Sequence, residues 1–173
     1  MSQEYVDVVD TQDNAVETRT LQDCLKFGLL HRAVTIFLRN SRNEIFLQQR
    51  SKADDWMPKR WTSSCTGHVK SSESAARAAK REMREELGLQ VDPVFLFKIV
   101  LPRIEDSGKT EWEVASVYEA ISDDELSLDP REIERGLFFS ILDCKEFFAN
   151  RQGEITPDAV ILFSRYLEFK KSL

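Results

Sequence analysis

Three glutamates at helical neighbour spacing are the residues of this sequence best suited to chemistry. Glu82, Glu85 and Glu86 lie at positions i, i+3 and i+4 of a segment rich in alanine and charged residues. On a helix this spacing places the three carboxylates side by side, where like charges repel one another. A divalent cation such as Mg²⁺ relieves the repulsion, because it binds carboxylate oxygens and shares its site with substrate phosphates. The spacing therefore indicates a metal–phosphate site, and the alternative is a solvated acidic helix face.

The segment that carries the glutamates is predicted to form a helix between Ser74 and Gly88. Serine is a preferred N-cap, glycine is a natural residue just past the last turn, and alanine favours the helix interior. At about 100° per residue, one apolar stripe faces the core and consists of Ala76, Ala79, Met83 and Leu87. Basic residues occupy the solvent side, namely Arg77, Lys80 and Arg84.

The helix belongs to a longer pattern that starts at Gly67. The pattern is G-x5-E-x7-R-E-U-x-E-E-x-G-U, where U is apolar, and the chain matches every specified position up to Leu89. This segment resembles the Nudix box, a loop–helix–loop that binds a metal-diphosphate. The resemblance implies a Nudix-type α/β/α sandwich with a mixed β-sheet between helices and a small-molecule diphosphate substrate. It also implies Mg²⁺ or Mn²⁺ held by Glu82, Glu85 and Glu86.

Two further residues of the box have predicted supporting roles. Gly67 lets the backbone approach the metal site or the substrate, because it has no side chain to stand in the way. Arg81 orients a box carboxylate through a bidentate pair, and Glu73 is the candidate partner. Arg81 is counted with the catalytic residues, although its predicted role is mainly support.

The two histidines of the chain, His31 and His68, gain interest beside Glu111 and Glu113. Alternation along a strand points both of these carboxylates to one face, although each of the four residues also fits a structural role. The chain resembles the isopentenyl-diphosphate isomerases and isomerase-like hydrolases of the Nudix superfamily in several landmarks: HRAVTIFLRN, IFLQQRS, Trp61-Thr62, Gly67-His68 and Glu111-x-Glu113.

That closer resemblance implies a second metal site at the two histidines and two glutamates. In the isomerases, three histidines and two glutamates hold a metal, and the third histidine falls on Cys24 of this chain. Imidazole and carboxylate ligands suit Zn²⁺ or Mn²⁺ better than Mg²⁺, and a thiolate from Cys24 favours Zn²⁺. This second site is the more speculative of the two.

Two departures from the isomerases favour hydrolysis over isomerisation. The catalytic cysteine of those enzymes directly precedes the Gly-His pair, where this chain has Thr66. Cys65 lies one residue away and points to the opposite face of an extended segment, unless the loop is shifted by one residue. Asp54-Asp55 stands where bacterial isomerases tend to have lysine. The box, usually degraded in isomerases, is intact here.

The predicted reaction is attack of water on phosphorus in a diphosphate linkage, assisted by the metal. Glu113 or Glu111 is the candidate general base, and the alternative is a box glutamate such as Glu86. The alternative activity is that of an isopentenyl-diphosphate delta-isomerase.

Substrate-binding candidates lie just before the box. Arg50, Lys59 and Arg60 have the charge to bind a substrate phosphate. The three tryptophans of the chain, Trp56, Trp61 and Trp112, could stack on a base or cover a prenyl chain, and they fit the core equally well. Trp61 is counted with Arg50, Lys59 and Arg60 as a predicted substrate-binding residue.

The predicted elements that position these residues alternate between strands and helices, typical of a single α/β domain over residues 1–173. Before the box, strands are predicted at 4–9 and 16–18, a helix at 20–27, and a hairpin at 31–38 with 44–49. After the box, strands are predicted at 94–101, 111–119 and 136–139, followed by helices at 141–149 and from Pro157 onward. Because 94–101 is almost continuously apolar, we expect this strand to be buried.

Composition limits the classes of function. The 173 residues carry a formal net charge of −6 without a basic stripe, which argues against binding to a nucleic-acid backbone. No apolar run approaches the length of a membrane span, and the acidic N-terminus lacks the features of a signal peptide. Three widely spaced cysteines suit free thiols in a reducing compartment, so we expect a cytoplasmic protein. The sequence does not indicate an oligomeric state.

Overall fold

The computed structural model describes residues 3–172. Up to the end of the box, its elements are β1 (Tyr5–Val9), β2 (Ala15–Thr20), α1 (Leu21–Phe27), β3 (His31–Arg39), β4 (Ile45–Arg50), β5 (Trp61–Thr62), β6 (Cys65–His68) and α2 (Ala75–Leu87). The later elements are β7 (Val94–Val100), β8 (Ile104–Asp106), β9 (Lys109–Glu111), β10 (Glu113–Ile121), β11 (Ile133–Phe139), α3 (Ile141–Asn150), a 3₁₀ turn (Gln152–Glu154) and α4 (Pro157–Lys171).

Strand β3 is the centre of a nine-stranded mixed sheet. It runs parallel to β10, from the pair His31 and Glu113 to the pair Arg39 and Ile121, and antiparallel to β6. Side chains alternate along it, so Val34 packs against α2 on one face while Phe37 packs against α3 and α4 on the other. Two apolar cores therefore lie on opposite faces of one sheet, which confirms the predicted α/β/α sandwich.

Helix α2 has the predicted boundaries. The Ser74 hydroxyl accepts a hydrogen bond from the Arg77 N–H at 3.3 Å, and Gly88 adopts the left-handed conformation with φ of 71°. The apolar stripe differs by one residue from the prediction, because Ala78 is buried while Ala76 is exposed. Glu86 is also buried, together with the apolar residues on the core-facing side of the helix.

Three predicted strand features need correction. The apolar strand β7 is not buried, and Val94 and Phe95 are 65% and 51% exposed. It pairs only with β10, so it forms an edge of the sheet. The predicted hairpin of β3 and β4 pairs only at Arg39 and Ile45, after which β4 pairs with β5 and β11 instead. The predicted strand 111–119 is interrupted at Trp112.

This interruption assigns the two glutamates to different sheets. Glu111 ends β9, which pairs with β8 in a separate two-stranded sheet, whereas Glu113 begins β10 in the large sheet. The turn between β8 and β9 is made by Ser107 and Gly108, both with positive φ.

Glu119 fastens the last helix to the sheet. This β10 carboxylate accepts hydrogen bonds from the Tyr166 hydroxyl at 2.5 Å and from Lys170 Nζ at 3.2 Å, both on α4. It also accepts one from Arg39 Nη1 at 3.1 Å. Burial alone would raise the pKa of Glu119, but these hydrogen bonds outweigh burial and lower its pKa.

Met1, Ser2 and Leu173, which the predicted domain over residues 1–173 includes, lie outside the described residues. None of the helices within residues 3–172 combines the length and apolarity needed to cross a bilayer. The three cysteines are buried as free thiols.

Candidate active site

A cleft of about 390 Å³ runs along the acidic face of α2. The three box glutamates line it, together with Gln48, Arg50 and Thr66. A smaller cavity of about 70 Å³, here called the inner pocket, opens beside the cleft. Both cavities are lined by Arg50, Trp56, Thr66, Gly67, His68 and Glu111. The box and the His/Glu residues therefore belong to one continuous site.

Arg81 holds the acidic face in place. Its Nε and Nη2 donate to the two carboxylate oxygens of Glu73 at 3.0 and 2.9 Å, which is the predicted bidentate pair. Its Nη1 donates to Glu82 at 2.5 Å and to Glu85 at 3.3 Å. Its Nη2 also donates to the carbonyl of His68 at 3.0 Å. One guanidinium thus ties strand β6 to two of the three box glutamates.

Gly67 lies directly against the carboxyl group of Glu82. A Cβ atom added to Gly67 would lie 2.1 Å from both Cδ and Oε1 of Glu82. Since non-bonded carbon atoms are optimally about 3.5 to 4.0 Å apart, a side chain at position 67 would force the Glu82 carboxylate to move. The reason for glycine here is contact with a box carboxylate.

The three box glutamates differ in environment. Glu86 is 7% exposed and accepts a hydrogen bond from Gln48 Nε2 at 2.9 Å, whereas the Glu85 side chain is 47% exposed. Burial raises the pKa of Glu86 well above its usual value. Burial also raises the pKa of Glu82 to about 7, although Arg81 opposes the shift. A cation beside these carboxylates would favour their charged forms.

The tightest group of possible ligands is the second predicted constellation. One ligand atom from each of His31, His68, Glu111 and Glu113 lies within 4.8 Å of all the others. His31 Nε2 lies 3.5 Å from Glu111, and His68 Nε2 lies 3.6 Å from Glu111 and 3.7 Å from Glu113. Ligands at roughly 2.1 Å from one ion are at most about 4.2 Å apart, so a slight contraction would let all four reach one cation.

The hydrogen bonds of His31 suit a metal ligand. Its Nδ1 lies 2.8 Å from the carbonyl oxygen of Leu29, so Nδ1 carries the proton and donates it. Its Nε2 is buried without a hydrogen-bond partner. Glu111 Oε2, 3.5 Å away, is likewise buried and unpaired. A cation bound between these two atoms would satisfy both of them, so these residues fit a metal site.

The pKa values of His68, Glu111 and Glu113 are shifted in different directions. Burial alone would lower the pKa of His68, but Glu111 and then Glu113 outweigh burial and raise it to about 9. Burial would raise the pKa of Glu111, but His31 and His68 hold it below its usual value. Burial and the charge of Glu111 raise the pKa of Glu113. The protonation states of the four groups therefore depend on one another.

Thr66, and not Cys65, faces the cavities. Strand β6 pairs with β3 in an uninterrupted register, with Cys65 opposite Ile36 and Thr66 opposite Thr35. Thr66 lines both cavities, whereas Cys65 is fully buried in the core beneath α2. Burial, with the nearby charge of Glu86, raises the pKa of the Cys65 thiol well above its usual value. The one-residue shift that would bring Cys65 into the site is absent.

Cys24 is not one of the four clustered ligands. Its side chain packs in a small apolar group with Val6 and Val8. Burial, reinforced by Asp23, raises the pKa of the Cys24 thiol to about 11. The implied fifth ligand is therefore not provided by this geometry.

Comparison with known proteins identifies the family. Residues 29–159 match the NUDIX domain. The chain belongs to the Nudix family. It is 32% identical over 157 residues to the isopentenyl-diphosphate Delta-isomerase 1 of Photorhabdus laumondii, with 89% of each chain covered. It is also 28% identical over 169 residues to an uncharacterized Nudix hydrolase of Yersinia pestis, covering 95% of this chain and 86% of that protein.

Solved structures show the same Nudix architecture. A crystal structure of a Deinococcus radiodurans protein aligns with a TM-score of 0.78 and 26% identity, covering 94% of this chain and 98% of that one. The MutT protein of Methanosarcina mazei aligns with a TM-score of 0.66 and 19% identity, over 83% and 94% of the two chains, which concerns the fold alone. The predicted family and its isomerase-like branch are confirmed.

Of the four residues predicted to bind substrate in this Nudix chain, Arg50 alone lines the cavities. Lys59 is exposed on the loop, and Arg60 Nη1 donates to the carbonyl of Ile155 at 3.2 Å. Trp61 is 5% exposed and packs in the core below α3. Lys59, Arg60 and Trp61 are close to the box in sequence but do not line the cavities. For Trp61 the reason is that β5 pairs with β4 and carries its side chain into the core.

The other two tryptophans have different surroundings. Trp56 lines both cavities, and its carbonyl accepts a hydrogen bond from Arg50 Nε at 2.8 Å. Trp112 packs beside Val114, with the Arg103 guanidinium 4.2 Å from its ring centroid. Trp56 is therefore the tryptophan available to a ligand.

The cavity-lining residues that the sequence did not indicate include Gln48, Lys70, Arg131 and Asp158. Lys70 and Arg131 add positive charge to the cleft, beside Arg50 and Arg81. Asp158 lies in the first turn of α4, where an acidic residue also favours the helix dipole, so its type gave no signal of a site. These residues come from separate segments that only the fold brings together.

Proposed function

We propose that this Nudix enzyme is a metal-dependent hydrolase that cleaves a diphosphate linkage in a small substrate. The observation that carries the proposal is the orientation of β6. It places Thr66 at the wall of both cavities and buries Cys65 in the core beneath α2, where it lines neither cavity. The proposed hydrolase needs carboxylates to hold its metal ion. The isomerases that the chain resembles use a cysteine at the position of Thr66.

The cleft offers separate groups for the metal, the substrate phosphates and the proton. Glu82, Glu85 and Glu86 would hold Mg²⁺ or Mn²⁺, which when bound neutralises phosphate oxygens and acidifies a coordinated water. Arg81 keeps two of these carboxylates in place through its hydrogen bonds. Lys70 and Arg131 line the cleft and would bind the substrate phosphates, with Arg50, which also donates to Asp54, at the entrance to the inner pocket.

The proposal has three candidates for the general base, which are Glu86, Glu111 and Glu113. Glu111 is the ionised member of the inner cluster, since the histidines lower its pKa. If the inner cluster holds a second cation, then Glu111 and Glu113 serve as ligands, and the base is a box glutamate. Glu86 fits that role because Gln48 fixes its carboxylate at the wall of the cleft.

Isopentenyl-diphosphate isomerase activity is the second candidate. It is favoured by the names of the similar proteins, of which the Photorhabdus laumondii isomerase is 32% identical. The orientation of Cys65 and Thr66 argues against it.

One experiment separates the two activities. Purified protein with Mg²⁺ or Mn²⁺ is incubated with nucleoside diphosphate derivatives, dinucleotides, sugar diphosphates and prenyl diphosphates. Cleavage of the linkage, measured as the phosphate monoester or inorganic phosphate formed, and dimethylallyl diphosphate are followed in parallel, with Glu85→Gln and Thr66→Cys as comparison variants. We expect cleavage of at least one class, lost in Glu85→Gln, and no isomerisation by the native chain. Efficient isomerisation without cleavage of the linkage would refute the hydrolase.

A further inference from the structure

The inner pocket has a polar group that neither the box nor the His/Glu cluster explains. Asp158 lines this pocket, and the apolar part of its lining includes Trp56, Leu101 and Ile104. Asp158 is not one of the four side chains whose ligand atoms converge. Its carboxylate enters a cavity that already contains two other carboxylates, Glu111 and Glu113, and the charge of Glu111 opposes its ionisation. Helix-dipole stabilisation alone does not require an acid at this point.

The fold anchors the turn that carries Asp158. Thr156 donates its backbone N–H to the carbonyl of Trp61 at 2.9 Å, and its hydroxyl donates to Thr62 Oγ1 at 3.1 Å. These bonds fasten the start of α4 to strand β5. The Asp158 carboxylate projects from this anchored turn into the pocket, and the side chain of Thr156 favours its charged form, so it is placed to accept from a ligand.

Arg50, the cation that favours the charged form of Asp158, donates most of its hydrogen bonds to other groups. Arg50 favours the charged form of Asp158, but its Nε donates to the Trp56 carbonyl and its Nη2 donates to Asp54 at 2.6 Å. A carboxylate that loses its water in a pocket is costly unless hydrogen-bond donors reach it. A hydrocarbon group in the pocket would remove water from Asp158 without supplying a donor, whereas a hydroxyl group would supply one.

We propose that Asp158 is a specificity-determining residue that selects diphosphates whose organic group carries hydroxyls, as in a polyol or sugar, and rejects hydrocarbon groups. This inference rests on the proposed function, since it names the substrate class for the same site. Trp56, Leu101 and Ile104 face the C–H groups of the ligand, while Asp158 accepts from its hydroxyls. The volume of about 70 Å³ suits a group of only a few non-hydrogen atoms next to the diphosphate.

The test uses two matched ligands that differ only in hydroxyls. These are the non-hydrolysable methylene diphosphonates of propanol and of glycerol, which carry a propyl and a 2,3-dihydroxypropyl group. Dissociation constants are measured by titration calorimetry with Mn²⁺ for the native full-length chain, Asp158→Leu and Asp158→Ala. Glu168→Leu, on the exposed side of the same helix, is the matched control. Thermal unfolding and metal content are recorded for every variant.

We expect the native chain and Glu168→Leu to bind the dihydroxypropyl ligand about 10²-fold more tightly or better, because a site built to bind hydroxyls strongly rejects analogues that lack them. In Asp158→Leu and Asp158→Ala the two affinities should become equal within about tenfold, with metal content unchanged. Equal affinities in the native chain, no binding of either ligand, or a preference that survives in a folded Asp158 variant would overturn the inference. Selective binding without hydrolysis of the corresponding diphosphate would refute only the hydrolase.

Discussion

Replacing Gly67 with alanine tests whether contact between β6 and Glu82 sets the geometry of the site. The new Cβ would lie 2.1 Å from Cδ and Oε1 of Glu82 and 2.5 Å from its Cγ. Restoring an ordinary contact of about 3.5 Å requires the carboxylate to move by roughly 1.4 Å. Glu82 accepts from Arg81 at 2.5 Å, and Arg81 is fixed by Glu73, so this movement must break or distort a charge-assisted hydrogen bond.

The expected cost follows from these contacts. Overpacking of this size destabilises a protein by about 1–3 kcal/mol. A displacement of about 1 Å in a positioned catalytic group costs on the order of 10² in rate. We therefore expect Gly67→Ala to lower kcat by about 10²-fold with a much smaller change in KM, measured as phosphate release with Mn²⁺. The free energy of unfolding, measured with urea, should fall by about 1–3 kcal/mol.

The matched control is Gly153→Ala, since a Cβ at Gly153 meets no atom within 4 Å. A double-mutant cycle with Glu82→Ala sharpens the test. Once the Glu82 carboxyl group is removed, Gly67→Ala should cost little further stability, so the two changes should be strongly non-additive. Native activity in Gly67→Ala, or stability losses that simply add, would refute the reasoning.

Three further predictions concern the carboxylates and the metal. Glu85→Gln and Glu86→Gln should each lower kcat by orders of magnitude in folded protein, and excess chelator should abolish turnover; full activity in either case contradicts the proposed mechanism. Protein purified without a histidine tag should hold a transition metal by elemental analysis, and combined His31→Ala and His68→Ala substitutions should remove it; a metal content unaffected by both changes argues against the inner site. Because the folded-state pKa of Glu119 is lowered, its contribution to stability is complete above the unfolded value of about 4.5 and is lost as pH falls through the folded value. Urea unfolding should therefore show a stability gap between the native chain and Glu119→Gln at pH 7 that narrows below pH 4.5, and a gap independent of pH would contradict this assignment.

Local signals explain what could be predicted from the sequence. The boundaries of α2 depend on Ser74, Gly88 and the residues between them, so its caps and acidic face were predictable from chain-local rules. The pair of Arg81 with Glu73 is also contained within the box. By contrast, the apolar composition of β7 indicated a strand but not its place at an edge of the sheet, since burial depends on which strands pair with it.

Residues brought together by the fold were harder to find. The inner cluster was predicted through a family resemblance, because His31, His68 and the two glutamates come from three distant segments. Asp158 was missed because an acid in the first turn of a helix has an ordinary explanation. Trp61 was assigned to the substrate because it lies beside the box in sequence. In three dimensions its ring packs edge-on against Phe147, at 5.6 Å between centroids.

The interruption at Trp112, between strands β9 and β10, has a consequence for local unfolding. Glu111 closes the two-stranded sheet of β8 and β9, and Glu113 opens β10 of the large sheet, so the inner cluster joins two separately hydrogen-bonded units. A cation bound by both glutamates would add its binding free energy to the cost of detaching the small sheet. The amide protons of β8 and β9 would then exchange with solvent more slowly when the cluster is filled. Ile104 of β8 is a wall of the inner pocket, so metal occupancy and the shape of that pocket are thermodynamically linked.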